Sequence, residues 1–187
     1  MKPLILVKHS TPEIVEDLPA REWRLSEEGR LRAPQLAEML RRYEPDVIIS
    51  SVETKARETA HILAEELGLE YQTLEGLHEH DRMNVPFYSK AEFQAAVRES
   101  FEKPNELVFG HETANQALTR FGAAVEVVLD SYPDQSIVIV AHGTVISLFV
   151  SQVTGCEVFP LWRELGLPSF VVLDLQSGVL LETVNIP

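Results

Sequence analysis

The chain has 187 residues, 45% of them apolar, with a mean hydropathy of -0.02 and a formal net charge of -13. Single domains commonly run to about 100–200 residues, so residues 1–187 read as one globular domain with a sizeable core. A surface this acidic argues against nucleic acid or an anionic membrane as partner, because both need Lys or Arg to neutralise phosphates.

No apolar run reaches the ~20 residues that a membrane span needs. Leu4–Val7 is too short for the apolar core of a signal peptide and runs straight into Lys8 and His9. Cys156 is the single cysteine, so an intramolecular disulfide is excluded and a reducing cytoplasm is the expected location.

In chain order, Leu4-Ile5-Leu6-Val7 is apolar without alternation, the mark of a strand buried on both faces, and it should end near Lys8. Residues 10–25 read as a loop broken by Pro12 and Pro19. Ser26 is a good N-cap, followed by Glu27 and Glu28 where the helix dipole favours acids. That helix should reach about Tyr43, with Pro34 causing a kink or a later true start. A strand over 46–50, a helix over 54–67 closed by Gly68, and a short strand over 70–73 follow. Residues 76–86 read as a loop. Ser89-Lys90-Ala91-Glu92 and Thr113-Ala114-Asn115-Gln116 are capping boxes, opening helices to about Glu102 and Ser131. Ile137-Val138-Ile139-Val140-Ala141 repeats the first buried strand. An apolar helix over 144–154 ends at Gly155, a short helix is expected over 159–165, and residues 169–174 and 179–185 form a terminal hairpin.

Strands alternating with helices imply a three-layer α/β/α sandwich, with a mostly parallel central sheet and an antiparallel C-terminal edge. Open sheets of this kind place ligands at the carboxyl ends of their strands. His9 and His142 both sit just past such an end, one beside Lys8 and the other beside Gly143. A lone strand-end histidine usually does no more than make a hydrogen bond. Two at matching positions point to chemistry, since a neutral imidazole can attack phosphorus and form a covalent intermediate. Ser50-Ser51-Val52-Glu53-Thr54-Lys55-Ala56-Arg57-Glu58-Thr59-Ala60 leaves a strand and enters a helix, and a helix N-terminus with a nearby cation suits an anion. His78-Glu79-His80-Asp81 contains metal-ligand types, but no further ligand has a recognisable spacing. His61 and His111 read as a helix-surface and a loop residue.

Three segments together resemble the histidine phosphatase (phosphoglycerate mutase-like) superfamily. They are the strand ending Lys8-His9, the Ser50–Ala60 segment, and the strand ending His142-Gly143. Leu25-Ser26-Glu27-Glu28-Gly29 is similar to that family's Leu-Thr-x-x-Gly helix start, and Gly110-His111-Glu112-Thr113 to its Gly-x-Glu-Ser segment. The resemblance implies a phosphoglycerate mutase-like fold and a metal-independent phosphohydrolase without a cofactor, acting on a small phosphorylated metabolite. His9 would be the phosphorylated nucleophile. Lys8, Lys55 and His142 would hold phosphoryl oxygens, and Glu79 would protonate the leaving group. The Glu79 role rests on the family position, because neighbouring cations should lower its pKa whereas a general acid wants it raised.

The family usually has arginine where this chain has Lys8 and Lys55, and glycine where it has Ser10. Lysine keeps the charge but gives up the planar fork, so Arg57, Arg24, Arg21 or Arg82 could lean in to compensate. Two ammonium groups at one site should also repel each other while it is empty. A phosphoglycerate-type mutase and a non-catalytic phosphate-binding module are the alternatives. Mutases of this family tend to be longer, with a larger insert over the site. A homodimer is left open.

Overall fold

The computed structural model describes residues 2–83 and 85–186; Asn84, within the stretch read as a loop, lies outside the described residues. The two apolar strands feed two separate cores by alternation. In β1 (Leu4–Lys8), Leu4 and Leu6 face one side and Ile5 and Val7 the other. In β4 (Ile137–Ala141), Ile137 and Ile139 join the first side, Val138 and Val140 the second. The first core is covered by α4 (Ala114–Ser131) through Ala117, Phe121 and Val125, and by α5 (Gly143–Thr154) through Val145 and Phe149. The second is covered by α1 (Glu27–Leu40) through Leu36, Ala37 and Leu40, and by α2 (Thr54–Leu67) through Ala56, Ala60 and Leu63. Burial on both faces is why these strands carry no polar alternation.

With β2 (Val47–Ser50), β3 (Tyr71–Thr73), β5 (Ser169–Asp174) and β6 (Val179–Asn185), the sheet order is β3-β2-β4-β1-β5-β6. The β3/β2, β2/β4 and β4/β1 pairs are parallel, and β1/β5 and β5/β6 are antiparallel. This is the expected α/β architecture with its antiparallel C-terminal edge. The helices α3 (Lys90–Glu102) and α6 (Val158–Glu164) complete the set, and α3 and α4 both start in full capping boxes. Among the described residues no helix is long and apolar enough to cross a membrane.

Pro34 does not delay α1. The helix begins at Glu27, because Ser26 accepts a hydrogen bond from the Gly29 N–H and is itself tied through its N–H and hydroxyl to the Thr11 carbonyl. Its last turn tightens into a 3-10 turn over Arg41–Tyr43, closed by Glu44 at φ 47°. Register then sets the site. Lys8 is opposite Ala141 and Ser50 is opposite Val140, so His9, His142 and Ser51 emerge together at one edge of three adjacent strands.

Candidate active site

His9 is 7% exposed, and its N–H bonds the Ala141 carbonyl, extending the β1/β4 ladder by one step. Its Nδ1 lies 2.8 Å from the Ser10 carbonyl. A carbonyl only accepts, so Nδ1 carries the proton and Nε2 keeps its lone pair. Burial, reinforced by the charge of Lys55, holds this imidazole well below its ordinary pKa and therefore neutral. The loop behind it is fixed at three points. The Ser10 N–H donates to Thr59 Oγ1 at 3.0 Å, the Ser10 hydroxyl donates to the Gly29 carbonyl at 2.7 Å, and the Thr11 carbonyl accepts from Ser26. Serine at position 10 thus fastens the histidine loop to α1. Gly29 is required because a Cβ there would stand 2.1 Å from the Thr11 oxygen.

The His142 ring sits edge-on to His9, with centroids 5.2 Å apart. Its Nε2 meets Ser51 Oγ at 2.8 Å, and its buried Nδ1 has no partner among the described residues. Burial lowers its pKa to about 4. Lys8 reaches past Gly143, where a Cβ would lie 3.1 Å from Lys8 Cε, and donates to the carbonyl of Leu165 at the end of α6 at 2.7 Å. A helix C-terminus favours a cation, yet burial still lowers Lys8 to about 8, with Glu79 opposing.

Lys55, in the first turn of α2, is 3% exposed. Its ammonium donates to the Ala20 carbonyl at 2.7 Å and to Glu53 Oε2 at 2.5 Å. The two lysines are therefore not loose: each is aimed by protein acceptors. Nor is mutual repulsion what lowers them. Burial is the largest cause for both, and for Lys55 the carboxylate of Glu53 opposes it.

Glu79 comes from the loop after β3. Its Oε1 accepts from the His80 and Val145 N–H groups, at 2.9 and 3.3 Å, and its Oε2 accepts from the Thr144 N–H at 3.1 Å. The carboxylate thereby occupies the N-terminus of α5, immediately after His142. Burial alone would raise its pKa, but His142, Arg82 and the N–H groups outweigh burial and leave it lowered. The carboxyl is thus ionised at rest, as its cationic neighbours in the sequence imply.

A family model, "Histidine phosphatase superfamily (branch 1)", matches residues 4–185. The chain belongs to the histidine phosphatase superfamily. An uncharacterized phosphatase, PhoE, of Bacillus subtilis (strain 168) is 25% identical over 131 residues, covering 70% of this chain and 65% of its own length, so the match spans just under two thirds of that relative. A mycobacterial glucosyl-3-phosphoglycerate phosphatase shares the fold with TM-score 0.71, 24% identity, and coverage of 91% and 89% of the two chains. So does a phosphoserine phosphatase variant from Entamoeba histolytica, solved with phosphoserine, at TM-score 0.75, 18% identity, and 98% and 96% coverage.

Within this superfamily fold, the motif residues divide into those at the site and those that brace it. Thr59 donates to the Lys55 carbonyl and accepts from the Ser10 N–H, joining α2 to the histidine loop. Glu112 and Arg120 brace the Glu79 loop. Arg120 donates to the carbonyls of Gly76, His78 and Glu79 and to Glu112, while Glu112 accepts from the Asp81 N–H. Of the four arginines considered as compensators, Arg21 and Arg82 line the cleft beside Glu53, Glu79 and His78. Arg57 and Arg24 are exposed and do not line that cleft. Arg82 also packs over the Phe93 ring of α3, 4.4 Å from its centroid. His78, Glu79, His80 and Asp81 do not form a ligand cluster among the described residues; His80 is buried against Phe109 and bonds the Glu112 carbonyl. His61 is exposed on α2 and His111 exposed in a loop, as expected.

Sequence reasoning missed Glu53 and Arg120. Arg120 carries no motif signal. Glu53 lies in plain sight two residues before Lys55, but a carboxylate there looks like a solvated helix start until the fold buries it to 7% exposure.

Proposed function

We propose that this protein is a phosphohydrolase that cleaves a small phosphate monoester through a phosphohistidine on His9, without a metal. The observation that carries this reading is the state of His9: neutral, with Nδ1–H held on the Ser10 carbonyl and Nε2 left with its lone pair, beside Lys8, Lys55 and His142. Nε2 bonds to phosphorus as the ester P–O bond breaks. Lys8, Lys55 and His142 balance charge on the equatorial oxygens, which is most of what phosphoryl transfer asks of a protein. Lys8 has two N–H groups beyond its bond to Leu165, and Lys55 one beyond Ala20 and Glu53.

Glu79 hands a proton to the leaving oxygen. It rests ionised, so it takes up that proton when the phosphate arrives, because a second negative charge raises a carboxylate pKa. In the second half, water attacks phosphorus, Glu79 takes the water's proton, and Nε2 and inorganic phosphate are released. Relatives named as phosphatases support the reaction class. The cleft cations Arg21 and Arg82 support a substrate whose organic part is polar.

The test is trapping with a labelled aryl phosphate, with and without a chelator. Wild type should give an acid-labile, alkali-stable phosphoprotein and unchanged turnover under chelation. His9→Ala should give neither adduct nor turnover while keeping its fold. An acid-stable adduct, or turnover that survives loss of His9, overturns the mechanism; a panel of metabolite phosphates then identifies the ester.

A further inference from the structure

Lys55 occupies a poor place for an ammonium. It is buried, and it lies in the first turn of α2, where the helix dipole is positive. It faces Arg82 from the loop after β3, and His9 and His142 from the ends of β1 and β4. The anions facing it are Glu53, at the N-cap of α2, and Glu79. Only Glu53 bonds it, at 2.5 Å. Glu53 is otherwise overdetermined in position: its Oε1 accepts from the Glu79 N–H at 2.8 Å and lies 3.7 Å from His142 Nε2. One carboxylate thus touches the second lysine, the backbone of the acid loop and the second histidine.

We propose that Glu53 is a positioning residue for Lys55, aiming its ammonium at the phosphoryl site and keeping it charged there. The proposal rests on the phosphate-site reading above. Lysine has a flexible stem and three rotatable donors. Two fixed acceptors, the Ala20 carbonyl and Glu53 Oε2, use two of them and leave the third in a defined direction. The arrangement yields an oriented cation without a guanidinium. It also has a cost, since Glu53 adds negative charge next to an incoming dianion.

That cost makes the test specific. The probe is sulfate, a dianion at every pH used, so the ligand itself does not titrate. Binding is measured by titration calorimetry from about pH 5.5 to about pH 9, below and above the ordinary histidine range. Glu53→Gln keeps an acceptor for the Glu79 N–H, but an amide has only one oxygen, so it removes both the charge and the acceptor that faces Lys55. At the acid end the lost aiming bond and the removed negative charge oppose each other, and the affinity there is the baseline from which the pH dependence is read. Its affinity should then fall with rising pH about one pH unit or more before wild type does, because a neighbouring opposite charge is worth that much to a buried cation. Adding Lys55→Arg should move the fall back up, since a guanidinium stays charged. Glu53→Asp keeps the charge but withdraws the oxygen. It should weaken sulfate at all pH values by roughly tenfold, the scale of one misplaced charge-assisted contact, with the midpoint unmoved. A Glu53→Gln curve offset from wild type by one constant factor, or no recovery with Lys55→Arg, overturns the charge role. A Glu53→Asp curve identical to wild type overturns the aiming role. If wild type itself binds neither sulfate nor phosphate, the phosphate site fails first and the Glu53 proposal with it.

Discussion

A neutral histidine, the buried Lys55, the half-buried Lys8 and two carboxylates share one edge of the sheet. Lys8 gives the clearest pH signature. Burial brings it to about 8, so kcat/KM of the free enzyme should fall as pH rises through about 8. Lys8→Arg should flatten that limb if the longer side chain fits beside Gly143. A limb that stays at the same pH in Lys8→Arg belongs to another group. Glu79 makes a separate prediction. Against burial, His142, Arg82 and the backbone N–H groups of His80 and Thr144 keep its carboxylate ionised at rest. Glu79→Gln keeps the shape and removes the transferable proton. Esters with a poor leaving group should lose ~10²–10⁴-fold in kcat, the usual worth of general acid catalysis, and aryl esters far less. Equal losses on both would reduce Glu79 to an anchor for the start of α5.

At the scale of elements, the site is made by contacts between segments that are far apart in sequence. The first turn of α1 presses on the histidine loop only because residue 29 lacks a side chain. Gly29→Ala would place a Cβ against backbone, so we expect a loss of about 1–3 kcal/mol of stability from overpacking. A drop in kcat beyond what unfolding explains should accompany it, because the displaced Thr11 carbonyl belongs to the same short loop as His9. Gly122, inside α4, is the opposite case: a Cβ added there would meet nothing within 4 Å. Gly122→Ala should therefore stabilise the protein by about 0.5–1 kcal/mol and leave turnover unchanged. Urea unfolding of the two variants beside wild type checks both signs.

For the whole molecule, the buried site sets the response to acid. His142 is neutral in the folded protein down to about pH 4, whereas the unfolded chain protonates it near its ordinary 6.5. Between those values the unfolded state binds more protons, so stability falls as pH drops from 6.5 towards 4. His142 alone contributes on the order of 3 kcal/mol to that fall. His9 adds in the same direction, its folded pKa also being depressed. Glu53, likewise lowered in the fold, extends the loss below the ordinary carboxylate range. Denaturant unfolding across this window should show the slope, and His142→Asn should flatten its upper part. A stability that is level from neutral pH to pH 4 would mean that the rings are protonated in the folded protein after all.

The sequence by itself determined the sheet, the helices and the placing of His9 and His142 at matching strand ends. Short unbroken apolar runs rich in Ile and Val and bounded by polar residues suit strands buried on both faces, and Ser26, Ser89, Thr113, Gly68 and Gly155 mark helix ends by local bonding or local φ. These are short-range rules, legible from neighbouring residues. What the tertiary structure decided is the electrostatic identity of the site. Ser10 reads as a departure from the motif until its hydroxyl is seen on Gly29, and Lys8 and Lys55 read as flexible until Leu165, Ala20 and Glu53 are placed around them. Those partners lie up to 157 positions away in the chain. A charge becomes costly, and its counter-charge becomes necessary, only when the fold removes the water between them.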